Sequence, residues 1–150
     1  MLQLADQIDA AESGSVALFP WIQYRRFHWN NDRIMLDPWN RLVSKDVIVN
    51  DSLPLRDEVI GGEDERAAAI GQLIGAEKHL VPGFRALGVR HVVILDDQPN
   101  QDVTGDRLLG ANLKYMGDGL QWWDLGEVQR PESDHRWTDF LGWIFALFAV

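Results

Sequence analysis

Ala86-Leu87-Gly88-Val89-Arg90-His91-Val92-Val93-Ile94-Leu95-Asp96-Asp97 is the stretch whose reading decides the fold. Its aliphatic, largely β-branched run carries no polar alternation, which is the pattern of a strand buried on both faces of a sheet. Gly88 stands where a preceding helix would end in a left-handed cap. A helix that stops at a glycine, runs into a buried strand and leaves it at two acids is an α/β unit. The expected fold is therefore α/β: a mixed, partly parallel sheet with flanking helices in a Rossmann-like three-layer arrangement, ending in a C-terminal apolar helix.

Working upstream, Leu80 to Leu87 reads as a short helix that tolerates Pro82 in its first turn. Glu63 to Ile74 reads as another, with Glu63, Asp64 and Glu65 complementing the helix dipole and Gly75 as its expected end. Leu53 to Gly62 holds Pro54 and Gly61-Gly62 and is expected to be irregular. Val47-Ile48-Val49 and Arg33-Ile34-Met35-Leu36 are short strand candidates. Val16-Ala17-Leu18-Phe19 reads as a buried strand closed by Pro20, which cannot donate to a ladder. Trp21 to Asp32 is then a loop at that strand's carboxyl end, the side on which open parallel sheets bind ligands. Leu4, Ile8 and Ala11 share one face of a short amphipathic helix over residues 2 to 12.

Downstream of Asp97, residues 98 to 102 read as loop. Leu113 and Tyr115, then Leu120 and Trp122, alternate with polar residues around Gly117-Asp118-Gly119, which predicts a β-hairpin. The expected organisation is a soluble α/β domain over 1–128, a linker over 129–136 and the start of a transmembrane or membrane-interface helix over 137–150. From Phe140 to Val150 no side chain is charged, and only the Trp143 indole can hydrogen bond. A spanning helix needs roughly 20 apolar residues, so this run reads either as a buried terminal helix or as the beginning of a membrane segment. Met1 to Glu12 lacks the basic and apolar regions of a secretory signal peptide.

Composition excludes several classes of function. The 150 residues carry a formal charge of -9, which disfavours a nucleic-acid partner because phosphate neutralisation needs surplus Lys and Arg. No cysteine is present, so thiol chemistry and Cys-based zinc sites are absent. His28, His79, His91 and His135 are scattered without the spacing that puts two imidazoles on one helical face, so no metal centre and no cofactor are expected. Gly61-Gly62 leads into Glu63-Asp64-Glu65, whose acids would repel a phosphate from the helix N-terminus. Dinucleotide, P-loop and nucleophile-elbow motifs are all lacking.

The charge is segregated. Residues 21 to 45 are at +3 and the remainder at -12. Within that basic segment Trp21, Tyr24, Arg25, Arg26, Trp29 and Arg33 are the candidate binding residues: arginines for a phosphate or anionic headgroup, aromatic rings for an interfacial or sugar-stacking surface. A second candidate is Asp96 and Asp97, with Asp102 nearby, at a strand end where α/β enzymes place magnesium-binding carboxylates.

Val16-Ala17-Leu18-Phe19-Pro20-Trp21, Tyr24-Arg25, Trp29-Asn30, Leu36-Asp37-Pro38, Ser52-Leu53-Pro54, Gly62-Glu63-Asp64 and Leu87-Gly88-Val89-Arg90-His91-Val92-Val93 follow one another in this order. Together they resemble the extracytoplasmic domain of large polytopic membrane proteins of actinobacteria related to integral-membrane glycosyltransferases that use lipid-linked sugars. The resemblance implies a non-catalytic module on the extracytoplasmic side of the cell membrane. Its partners would be membrane lipid, a lipid-linked sugar or the membrane-spanning portion of its parent protein. Transferase chemistry would belong to that spanning portion, so no residue here inherits a catalytic role. The alternative from the residues alone is a soluble enzyme using Asp96 and Asp97 with magnesium.

Overall fold

The computed structural model describes residues 1–129. The expected membrane segment over 137–150, and the expected linker apart from Gln129, lie outside the described residues. Among the described residues no helix is long and apolar enough to cross a membrane.

A five-stranded sheet forms the centre, in the order β4-β1-β7-β9-β8. Its strands are β1 (Ser15–Phe19), β4 (Val47–Ile48), β7 (Val89–Leu95), β8 (Asn112–Gly117) and β9 (Leu120–Asp124). β1 runs parallel to β4 and β7, while β9 is antiparallel to both β7 and β8, so the sheet is mixed and partly parallel. The quoted run is β7 and occupies the middle position, and Gly88 before it has a left-handed φ of 79°.

Both faces of the sheet are covered at β1 and β7, while β8 at the edge is largely exposed. Ala17 and Phe19 of β1 and Val92 and Ile94 of β7 pack with α3 (Glu65–Ala76) and α4 (Val81–Ala86). Val16 and Leu18, with Val93 and Leu95, pack instead with α1 (Leu2–Ala10) and with Trp39 of α2 (Trp39–Leu42). Alternation along each strand sends successive side chains to opposite faces. One irregularity matters here: Ser15 faces Val89 but Val16 faces His91, so Arg90 is the extra residue of a β-bulge. The bulge lets Val89 share a face with Val92, and it brings Arg90 against Gly14, where a Cβ would overlap the Arg90 side chain.

Most of the expected elements are present, with three corrections. The region Trp21 to Asp32 is more than a loop: β2 (Tyr24–Arg26) pairs antiparallel with β3 (Ile34–Leu36) across a 3-10 turn at His28–Asn30. Leu53 to Gly62 holds a second hairpin, β5 (Leu53–Pro54) with β6 (Val59–Ile60). Strands this short cannot display the alternation by which strands are recognised. Finally, α3 continues past Gly75 to Ala76, because Gly75 stays out of the left-handed region and the Glu77 N–H still reaches the Leu73 carbonyl. Asp64 caps the start of α3, accepting from the backbone of Arg66 at 2.8 Å and Ala67 at 3.3 Å.

Candidate functional site

The chain continues from β1 to β4 on one side and from β7 to the β8–β9 hairpin on the other, in opposite directions across the sheet. Such a reversal opens a crevice at the carboxyl ends of the strands, where α/β proteins take ligands. In this protein the segments after the two strands are joined across it. The Gln98 side-chain amide pairs with the backbone of Arg26, accepting its N–H at 3.2 Å and donating to its carbonyl at 2.5 Å. Asp102 accepts the Trp21 backbone N–H at 2.7 Å. Beneath lies a buried ion pair of Arg25 with Asp37, the two residues only 2% and 5% exposed. The other oxygen of Asp37 takes the Trp39 N–H at 2.9 Å and starts α2.

The carboxylate candidates are not drawn into one site. Asp96 and Asp97 are exposed, and each accepts from a glutamine, Gln121 at 2.9 Å and Gln98 at 3.0 Å. Asp102 is half-buried on a separate set of partners. Burial pushes its carboxyl above the usual range, against the pull of the Trp21 N–H and the nearby Arg25 charge. Among the described residues, no three His, Asp or Glu side chains converge in the manner of a metal site.

The six aromatic and basic candidates separate into two groups. Arg25 belongs to the interior, and Trp21 packs half-buried on the core beside Phe19, ring centroids 5.6 Å apart. Tyr24, Arg26, Trp29 and Arg33 are exposed. The register explains the division. Tyr24 faces Leu36 and Arg26 faces Ile34 on the outer side of the hairpin, whereas Arg25 and Met35 face inward. Ile34 and Leu36 thereby join an outer face that sequence reading did not assign to them. The alternation Tyr24, Arg26 and Ile34, Leu36 is the signal that would have found it. Trp29 is 65% exposed and held by stacking on buried Phe27 at 5.4 Å. Neither Arg26 nor Arg33 forms an ion pair among the described residues.

Cavities open at both ends of the parallel strands. One of about 230 Å³ lies at the carboxyl ends of β1 and β4, lined by Trp21, Asn50, Asp51, Ser52 and the small residues of α3. The other, about 370 Å³, lies at the amino ends of the strands. There Arg66 and Ser15 both bind Asp46, at 2.7 Å each. Burial opposes the charge of Asp46, but these two partners prevail and hold its carboxyl below the usual value.

His91 is fully buried and fully used. Its Nε2–H donates to the Glu12 carbonyl at 2.8 Å, which leaves Nδ1 to accept from the Trp122 indole at 3.3 Å. That geometry suits the neutral ring. Burial lowers its pKa from the ordinary 6.5, although the Glu12 carbonyl and Asp124 favour the charge and Lys45 and Arg90 oppose it. As pH falls through 6.5, unfolded chains take up this proton before folded ones, so stability should drop. Urea unfolding on either side of that pH is expected to show the loss, and His91→Phe should remove this pH step while lowering stability throughout. An unchanged pH step in His91→Phe would assign the effect to another group.

No protein-family model matches the chain, and comparison with curated proteins and with solved structures gives no match.

Proposed function

We propose that this chain is a non-catalytic α/β module of a membrane protein, and that the β2–β3 hairpin is its contact with an anionic lipid surface. One observation carries the reading: an acidic protein exposes Arg26 and Arg33, neither in an ion pair among the described residues, on the same hairpin as the exposed Tyr24, Trp29, Ile34 and Leu36. Trp29 and Ile34, with Tyr24 and Leu36, supply the side chains that favour the membrane interface. Arg26 and Arg33 supply attraction to phosphate headgroups, worth about 1 kcal/mol each near a charged leaflet. At a net charge of -9 the chain as a whole is repelled by such a surface, so contact must be local and oriented.

In this reading the Rossmann-like, three-layer body is a scaffold, and the crevice where an enzyme would bind substrate is joined by Gln98 and Asp102. The resemblance to extracytoplasmic domains of actinobacterial polytopic membrane proteins supports a reading in which the module works outside the cytoplasm, beside the membrane portion of a glycosyltransferase-like parent. The apolar residues 140–150 would add a second membrane contact. Asp96 and Asp97 are exposed and each is engaged by a glutamine, with no third His, Asp or Glu converging on them among the described residues, which favours the scaffold reading over a magnesium-dependent enzyme.

Co-sedimentation with vesicles tests the proposal. The full chain should bind phosphatidylglycerol vesicles more tightly than phosphatidylcholine vesicles. Arg26→Gln combined with Arg33→Gln should weaken binding to the anionic vesicles by about 30-fold, the equivalent of ~2 kcal/mol. Equal binding by the folded double variant, or no preference for anionic lipid, would overturn it.

A further inference from the structure

We propose that the cavity between Trp21 and the first half of α3 binds a neutral polyhydroxyl ligand the size of one sugar ring. Its position is the first argument: it opens at the carboxyl ends of the parallel pair β1 and β4, beside the crevice that the protein fills with its own side chains. Its size is the second. At about 230 Å³ it falls below the ~300–1,000 Å³ typical of drug-sized ligands.

The chemistry of the walls narrows the ligand class. Trp21 is set in place through its backbone, with its N–H on Asp102 and its carbonyl accepting from Asn50 at 2.9 Å. Its indole N–H has no hydrogen-bond partner among the described residues. Trp21 lines the cavity with its Nε1 edge toward Gly71, and an aromatic wall with a spare donor suits a ring that carries hydroxyls at its edge. Asn50 is locked by accepting the Ser52 N–H at 3.0 Å and the Ser52 hydroxyl at 2.6 Å, which leaves its second amide hydrogen for a ligand. Asp51 accepts the Glu63 and Asp64 backbone N–H groups at 2.8 and 2.9 Å through one oxygen, and its other oxygen is a ready acceptor.

Anions are refused at this place. The N–H groups before α3 that would hold a phosphate are already taken by the Asp51 carboxylate, and Glu63 and Asp64 add negative charge. Small residues keep the space open. A Cβ on Gly71 would sit 3.5 Å from the Trp21 Nε1, so anything longer than alanine there would grow into the cavity.

The test needs no membrane, so it stands or falls separately from the vesicle experiment. Methyl glycosides of glucose, mannose, galactose and arabinose are titrated into the ¹⁵N-labelled full chain, and the indole N–H signals are followed, with Trp21→Phe assigning one of the seven tryptophans. At least one glycoside should shift the Trp21 signal saturably in the millimolar range, and sodium phosphate should not. Gly71→Leu should abolish the response. It is expected to fold, because its first carbon meets Trp21 at an ordinary contact distance and leucine is a better helix former than glycine. Ala68→Leu, at an exposed position lining the same cavity, is the second blocking variant. No saturable shift with any glycoside, a shift with phosphate instead, or a shift that survives both folded blocking variants would overturn the assignment.

Discussion

Replacing Asp37 with alanine is expected to lower the free energy of unfolding by about 3–5 kcal/mol, since it strands the Arg25 guanidinium in the interior without its counter-charge. Both residues are almost wholly buried, so water cannot take over the role of the lost carboxylate. The same substitution removes the acceptor of the Trp39 N–H at the start of α2. Against a total stability of ~5–15 kcal/mol for a typical domain, the loss is large. Urea denaturation of the wild type and Asp37→Ala measures it. The double variant Arg25→Met with Asp37→Leu should recover most of the loss, because the guanidinium is incompletely satisfied even in the native protein: its Nη1 has no hydrogen-bond partner among the described residues. A loss below ~1 kcal/mol in Asp37→Ala, the range of exposed ion pairs, would show that solvent reaches the pair. The consequence for function is direct. Arg25 is the inward residue of the β2–β3 hairpin, so the ion pair ties β2 to the residue that follows β3, and the Gln98 bonds to the Arg26 backbone join the same hairpin to the segment after β7.

The second large effect belongs to the opposite face of the sheet. Phe84→Ala is expected to cost about 3–5 kcal/mol, through lost burial and the cavity left behind. Phe84 is fully buried and stacks on Phe19 at 5.5 Å with the rings 10° from parallel, joining α4 to β1. Phe84→Leu should cost less, since it retains more of the volume. Leu113→Ala, at an exposed position on the edge strand β8, should stay within ~0.5 kcal/mol of wild type. The comparison is made by urea unfolding, with the slope expected to be the same for all variants. A Phe84→Ala loss no larger than that of Leu113→Ala would mean that α4 does not pack on the sheet as described.

These two sites also show how unevenly the sequence could be read. Phe84 lies in a segment expected to be helical, immediately before the glycine and the buried strand, and its place in the core follows from that context. Asp37 was legible only as the first residue of an Asp-Pro turn. Nothing in its sequence neighbourhood announces a partnership with Arg25, because the pair forms only when β2 and β3 fold back on each other. The binding candidates behaved in the same way. Composition brought Trp21, Tyr24, Arg25, Arg26, Trp29 and Arg33 forward as one group, and the inward-outward alternation of the hairpin then separated them. Gln98 escaped notice altogether, since a glutamine in a polar loop carries no sequence signal for the backbone it will meet.

The sequence by itself determined the class of the fold and its middle strand. Val92 to Leu95 is apolar on both faces, and only a position inside a covered sheet keeps both faces from water. It also determined the hairpin at Gly117-Asp118-Gly119, where Asp118 and Gly119 adopt the positive φ values that its turn demands. Tertiary structure alone decided that β9 rather than β8 lies against β7, that Arg90 bulges, that Arg25 turns inward, and that Trp21 closes a cavity with α3. Each of these depends on residues distant in the chain meeting with a particular register. Local sequence sets the preference of a residue for a helix, a strand or a turn, whereas register is set by the packing of surfaces that exist only after the chain has folded.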